Sequence, residues 1–555
     1  MNQFKLIAVS ALLMNAGNAQ ALTPWDNGAA NLTIRISGAV AQNKAYTQVV
    51  TDILAASGTL DTFNDVDPVT GSVGSNWTVH YFTGHANLGT GLAGKKIMLT
   101  RRTRGGSGYG VLPLRTNIPL EHLNISGLTA SAWFADGTKA WKQTITASNA
   151  NTYLVKKLSD AGAIAVDPDS LLKPGTENYP DPQNELTTGL PEPLWPKSIT
   201  SLPSTGDNAF TVLPTGGLAY GVAVTLDLYK VLQAAEKRAG LLPSSIVIGD
   251  YTEASMPSLN RNVIGSILAG KLGAWDQFKI VDKTDNNTVK NLLDSSILTD
   301  AGVSAPYKES TSGINLTPVA LGLRNNGAAT SVIAYSVFLN YPSTPYAVGP
   351  ATMTANTPAD EDASLPIVKQ PIIVADTGTL LKDWQNGTNV LGFNNVVEGS
   401  GFAKRWGIAL NTADKNTSVT AAGTGGDPWR YIRIDGYAPT LENIAAGAYS
   451  YWSEGVLLYR TARSTDPTWA LKTKLLKTLA DNLGSPAMLS LANTTQAWGK
   501  TGAVAVTADP RGFTASIPFS NPVAPFSHIN KGGVHSGIVP VADANAAGGL
   551  QIQLK

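Results

Sequence analysis

The residue types best suited to chemistry lie where glycine, serine and arginine meet. Lys95 to Leu114 reads KKIMLTRRTRGGSGYGVLPL. Ile97 to Leu99 suit a short buried strand, Arg101, Arg102 and Arg104 follow it, and Gly105, Gly106, Ser107 and Gly108 free the backbone for tight turns. Backbone N–H groups beside a serine hydroxyl and nearby positive charge are the chemistry of an oxyanion cradle. A solvated glycine-rich turn is the plain alternative for the same residues. A second stretch has the same potential: Asn31 to Ser37 alternates like a strand, Gly38 and Ala39 break it, and Ala45 to Leu54 carries apolar residues at helical spacing. A third runs from Asn315 to Tyr341, as strand, then the loop Arg324-Asn325-Asn326-Gly327, then helix.

Other kinds of chemistry find less support. Gly106-Ser107-Gly108 lacks the flanking glycines of a nucleophile elbow, and the histidines (His80, His85, His122, His528, His535) show no metal-ligand spacing. Gly89 to Lys95, GTGLAGK, nearly spells a phosphate loop. Lys96 stands where a hydroxyl residue belongs, and a strand pattern follows where a helix is required. The chain has no cysteine, so disulfides, thiolate metal sites and a lipidated cysteine are excluded. The expectation is a non-enzyme with no cofactor and no metal.

Charge and length set the class of protein. Net charge is +1 among 555 residues, which calls for neither nucleic acid nor an anionic membrane, and the length suggests several domain-sized units. Met1 to Lys5 is a basic start, Leu6 to Gly17 an apolar run and Ala19-Gln20-Ala21 a cleavage signal, so a signal peptide over residues 1–21 is expected. No later run reaches the roughly 18 apolar residues of a membrane span. The product is expected in the periplasm or outside the cell.

The elements that must position these residues follow in order. Asn76 to Ala86 reads as a strand edge, and Asp160 to Pro168, DAGAIAVDP, as a short apolar strand closing on Asp167. Leu171 to Thr205 is rich in Pro, Asn and Ser, and reads as a long loop or insertion. Phe210 to Val231 has strand character and is placed to cross between lobes. Ser258 or Asn260 caps a helix with Val263, Ile264, Ile267 and Leu268 on its apolar face, and Gly270 ends it. Thr440 caps a short helix with Glu442 in its first turn, and Pro467 to Leu483 is a clear helix. Trp275, Trp406, Trp429 and Trp452 sit beside apolar runs, as core residues do, although tryptophans also line carbohydrate sites.

These pieces, in this order, resemble the phosphate-binding proteins of bacterial phosphate ABC importers, within the type 2 periplasmic binding fold. NVIGSILAGKLGAWDQF (Asn262 to Phe278) is similar to that family's "I-x-x-G-K-x-x-x-W" segment, and IRISGAVAQ (Ile34 to Gln42) to its first ligand loop. RTRGGSGYGV (Arg102 to Val111) resembles the second ligand loop, and GLRNNGAAT (Gly322 to Thr330) its R-S-D-G-S-G-T segment. IRIDGYAPTLENIAAGAYSYW (Ile432 to Trp452) is similar to the return segment "I-D-G-x-x-P-T-x-E-N-x-x-x-G-x-Y".

The resemblance implies an α/β protein of two lobes with a ligand cleft between them, plus insertions. Residues 22–220 would form the first part of lobe 1, 221–425 lobe 2, and 426–555 the return into lobe 1 and a tail. Ser37, Gly38 and Ala39 would supply backbone N–H groups; Gly106, Ser107 and Gly108 a hydroxyl and more N–H groups. Arg324 would donate in bidentate fashion to an oxyanion, with Asn326 in the same loop and the Thr330 hydroxyl at a helix start. The family's acidic proton acceptor falls at Ala165, unless a shift of two residues brings Asp167 into its place. Ala328 and Ala329 stand where the family has a hydroxyl and a glycine. The implied partners are phosphate or another small oxyanion, and an ABC importer or cell-surface components. The alternative is a binding fold with an eroded site, acting as an extracellular surface or matrix component.

Overall fold

The computed structural model describes residues 28–505 except 40, 183, 190–201, 204–208, 312–313, 343–346, 352–371, 375, 392–395 and 398–400. The expected signal peptide over residues 1–21, the C-terminal tail with His528 and His535, Gly399 and Ser400, and part of the Pro-rich insertion therefore lie outside the described residues.

The architecture is mixed α/β, built on one large sheet of fourteen strands. The first strand β1 (Leu32–Gly38) leads to helix α1 (Asn43–Val49), which runs on as a single wider turn over Val50–Leu54. Next come β2 (Asp61–Val66), β3 (Val73–Thr83), β4 (Lys96–Arg102), α2 (Gly108–Thr116), β5 (Ala161–Ile164), β6 (Phe210–Thr225) and α3 (Leu226–Arg238). Helix α4 (Arg261–Leu268), β7 (Ala320–Arg324), α5 (Ala329–Leu339), β8 (Ile372–Val374), α6 (Thr377–Asn386), β9 (Gly407–Thr412), β10 (Trp452–Arg460) and α7 (Trp469–Leu483) complete the frame. In space the strands run β8, β7, β9, β6, β10, β5, β1, β4, β3, β2, with two short strands beyond.

Strand β6 holds this sheet together. Its first part pairs antiparallel with β10, from Phe210 opposite Arg460 to Ala219 opposite Trp452. Its second part pairs antiparallel with β9, from Tyr220 opposite Thr412 to Val224 opposite Ile408. One strand thus serves both halves, and its apolar run without alternation reflects burial on both faces. On one side of it β1 runs parallel to β4 and β5; on the other, β7 runs parallel to β8 and β9. The C-terminal ends of both parallel groups point toward the middle of β6. In open α/β sheets that is where ligands sit.

Several sequence expectations need correction. Arg101 and Arg102 are not loop residues: β4 extends through both, and both are buried. Arg101 stacks 3.8 Å over the Tyr46 ring and donates to the Ala39 carbonyl at 2.8 Å, while Arg102 lies over Tyr109. β3 is not an edge strand, being paired to β2 and β4. Leu154–Lys157 forms a short strand of its own. Other expectations hold. Asn260, not Ser258, caps α4 by accepting from the Val263 N–H at 2.9 Å; Thr440 caps its helix by accepting from Asn443. Trp275, Trp406, Trp429 and Trp452 are all buried core residues. No helix among the described residues is long and apolar enough to cross a membrane.

Glu236 on α3 gives the fold a pH signature. Its carboxylate accepts from the Ser258 N–H at 2.7 Å, yet burial pushes its pKa from 4.5 up to about 7 against that bond and Arg433. The folded chain therefore keeps a proton that the unfolded chain releases, and stability falls as pH rises between about 4.5 and 7. Glu236→Gln is expected to flatten that fall when urea unfolding is compared at both ends of the window. An unchanged slope would show that Glu236 does not titrate there.

Candidate functional site

The site is built where β1, β5 and β7 end. At the end of β1, Ser37 is 1% exposed and its hydroxyl has no hydrogen-bond partner among the described residues. Gly38 follows at φ 120°, and a Cβ there would come 2.0 Å from the Ala163 carbonyl oxygen, so only glycine fits. The chain is pinned again one residue later, since the Ala39 N–H donates to that carbonyl at 2.7 Å.

The second loop leaves β4 through Gly105 and Gly106, both at positive φ, and enters α2 at Gly108. Ser107 is buried, and its hydroxyl accepts from the Ala165 N–H at 3.2 Å. Ala165 is thereby tied to this loop. The Ala165 carbonyl accepts from Tyr220 at 3.0 Å and from the Ser453 hydroxyl. Tyr220 lies at the midpoint of β6 and Ser453 at the start of β10, so strands from both halves close on this point.

The third loop leaves β7 at Arg324. The Arg324 N–H donates to the Ser331 hydroxyl at 3.1 Å, which ties the loop to α5. Its guanidinium makes no hydrogen bond among the described residues, and its Nε is buried without a partner. Burial draws its pKa below the usual guanidinium value, while Asp376 and the phenols of Tyr451 and Tyr220 act in the opposite direction. The rings of Tyr220 and Tyr451 stand 5.4 Å apart, and Tyr451 donates to the Thr330 carbonyl at 2.8 Å. Ala329 and Thr330 hold the first N–H groups of α5, which have no carbonyl within the helix to take them. Arg324, Thr330, Ser107 and Ala165 are thus brought to one cluster around Tyr220 and Tyr451.

Other expected donors are already used. The Gly108 N–H donates across to the Gly327 carbonyl at 3.0 Å, and the Gly106 N–H to Thr103 at 3.1 Å. With Ala39 also spent, these three groups are closed by the protein itself, contrary to the expectation of an open backbone cradle. Asp167 is not shown at Ala165's place either. Its Oδ1 accepts from the Asp169 N–H at 3.0 Å and so caps the short turn Pro168–Leu171.

What lies beside both loops is not marked by any motif. Glu177 to Asp181, from the Pro- and Asn-rich stretch, forms a strap against them. The Asn326 amide donates to Asp181 Oδ2 at 2.8 Å, and Tyr109 to the Asp181 carbonyl at 3.1 Å. The Gly327 N–H reaches the Glu177 carbonyl at 3.3 Å, and Tyr341 donates to the Glu177 carboxylate. Pro180 wedges in so closely that a Cβ on Gly108 would sit 2.5 Å from its ring, and one on Gly327 2.6 Å. A Pro- and Asn-rich segment lacks periodicity, so its contacts leave no pattern to read. Tyr220, Tyr451 and Ser453 were also missed: Tyr220 sits in a stretch that reads as plain strand, and Tyr451 and Ser453 stand at and just beyond the end of the return segment, where no motif marks them.

No protein-family model matches the chain, and no curated protein matches it. Among solved structures it is similar to a protein from Clostridium perfringens assigned as a phosphate ABC transporter substrate-binding protein, with phosphate bound. That match has 8% identity, covers 83% of this chain and 97% of the other, and has a TM-score of 0.33. An ABC-type phosphate transport receptor from Vibrio cholerae matches at 10% identity, covering 81% and 98%, with a TM-score of 0.30. PstS from Borrelia burgdorferi matches at 8% identity, covering 85% and 99%, with a TM-score of 0.29. Likeness at such scores does not say what this chain binds.

Proposed function

We propose that this chain is a non-enzymatic solute-binding protein that holds phosphate or a related small oxyanion between two lobes hinged on β6. The observation that carries this reading is the guanidinium of Arg324. It is drawn into the protein at the end of a parallel strand, and no described group hydrogen-bonds to it. A half-buried cation whose Nε is enclosed without a hydrogen-bonded counter-charge is costly, and an oxyanion on its fork would lower that cost. The unpartnered Ser37 hydroxyl and the open N–H groups at the start of α5 are donors of the right kind for the remaining oxygens. In this reading residues 1–21 are an export signal, the protein works in the periplasm or outside the cell, and an ABC importer is its natural partner.

Calorimetric titration of the mature chain with phosphate tests this, with sulfate and arsenate as comparators. Micromolar or tighter phosphate binding is expected. No heat at millimolar phosphate would overturn the proposal.

A second reading, a retired binding fold serving as a surface or matrix component, has one specific observation in its favour. The strap Glu177 to Asp181 takes up Asn326 and the Gly327 N–H, groups that a ligand would otherwise use. This reading predicts the silent titration.

A further inference from the structure

Five cations crowd a groove at the far end of the same sheet. It encloses about 760 Å³ and is lined by Arg35, Lys157, Arg460, Arg463 and Lys472. The end is opposite to the oxyanion loops: Arg460 closes β10, whereas Ser453 stands at that strand's start beside Ala165. Asp160, which precedes β5, and Asp466 are the acids in the lining.

Those two carboxylates are already committed. Asp160 Oδ2 accepts from the Arg35 backbone N–H at 2.9 Å, and its Oδ1 takes Arg463 at 3.3 Å and Lys472 at 3.0 Å. Asp466 binds Lys472 at 2.8 Å through one oxygen, and with the other accepts from the Thr468 N–H and hydroxyl ahead of α7. Arg463 and Lys472 are thereby answered. The Arg35 guanidinium and the Lys157 ammonium have no hydrogen bond or ion pair among the described residues. Arg460 donates to neutral oxygens, the Leu114 carbonyl at 2.8 Å and Asn117 Oδ1 at 3.2 Å. Its pKa is lowered first by burial and then by Arg463 and Arg115, the mark of like charges held together.

A protein with net charge +1 does not gather such a surplus by composition alone. Ordinary surface cations spread out to lower their mutual repulsion, and here β1 with Arg35, the strand Leu154–Lys157, the end of β10 with Arg460 and the turn after it with Arg463, and α7 with Lys472 hold them around one concavity. The volume suits a ligand larger than a single oxyanion.

We propose that this groove is a second binding site, separate from the cleft at Arg324, for a small polyanion carrying two or more phosphoryl or carboxylate groups. Arg35 and Lys157 supply guanidinium and ammonium donors that no hydrogen bond among the described residues occupies, with Asp160 acting on Arg35 only through space. Arg463, held by Asp160, stands as the third donor at the rim.

The test is calorimetric titration of the mature chain with tripolyphosphate and, separately, with citrate, at low and moderate salt. Binding of either is expected, weakening as salt rises because the groove is open to solvent. Lys157→Glu, an exposed position that carries little risk to folding, is expected to weaken that binding at least tenfold. Arg463→Ala is expected to weaken it as well. Arg324→Gln, which removes the cleft cation, is expected to leave it in place. Heat from neither anion, or binding that Arg324→Gln abolishes and Lys157→Glu leaves intact, would overturn the proposal. Loss of phosphate binding at the cleft in a chain that still binds tripolyphosphate would separate the fate of the two sites.

Discussion

Gly162→Ala is expected to destabilise the protein by about 3 kcal/mol or more, at the upper end of overpacking costs. Gly162 lies in β5, and a Cβ there would come 1.8 Å from the Gly110 carbonyl oxygen and 2.6 Å from its carbon. Neither partner can give way easily. Gly162 is held in register with Ser37 on one side and Leu458 on the other, and Gly110 is in the first turn of α2. The helix would have to lift off the strand. That movement would carry Ser107 away from the Ala165 N–H and the Gly108 N–H away from Gly327, so the effect reaches the oxyanion loops. A shift of the urea midpoint without a change in slope would measure it. Gly349→Ala is the matched control: it is exposed, with nothing within 4 Å of the new methyl group, and is expected to change stability by less than about 0.5 kcal/mol. Equal effects at the two positions would show that the contact of α2 with β5 is looser than described.

How far such contacts can be read from sequence depends on whether they repeat. The apolar run of β6 and the cap-and-stripe pattern of α4 are local and periodic, so the crossing strand and the helix after Asn260 were legible. Arg324 at a strand-to-loop boundary was legible for the same reason. Arg101 and Arg102 were misread because charge in a sequence suggests solvent, while here Tyr46 and Tyr109 offer aromatic faces from elements far away in the chain. The closing of the Gly108 and Ala39 N–H groups was illegible, since both bonds join loops distant in sequence, to Gly327 and Ala163. The strap at Pro180 was the hardest of all. Its place is set by the absence of side chains at Gly108 and Gly327, and those glycines signal only that something comes close, not what.

Arg324→Gln is expected to lower phosphate affinity by about ten- to a hundredfold, as the loss of a charged hydrogen-bonding partner in a desolvated site costs about 1.5–3 kcal/mol. The same change is expected to leave the ligand-free protein at least as stable, because it removes a half-buried cation whose guanidinium no described group hydrogen-bonds. These two effects oppose each other, and their separation is the strength of the experiment. For the wild-type chain, phosphate at a hundred times its dissociation constant should add about 2.7 kcal/mol to unfolding stability, and the variant should lose most of that gain. A stability gain without any phosphate effect in either protein would point to the retired fold. In that case the strap at Glu177 to Asp181 is the final occupant of the cleft, and Arg324 is a remnant that burial makes expensive. A phosphate effect of equal size in both proteins would place the oxyanion away from Arg324. The loops at Gly108 and Gly327 meet through the Gly108 N–H and the Gly327 carbonyl, so a phosphate bound between them would enter by parting them or by slipping beside the strap. Slow association with tight final binding is the expected kinetic sign of the first route, because a closed state that must open lowers the population competent to bind.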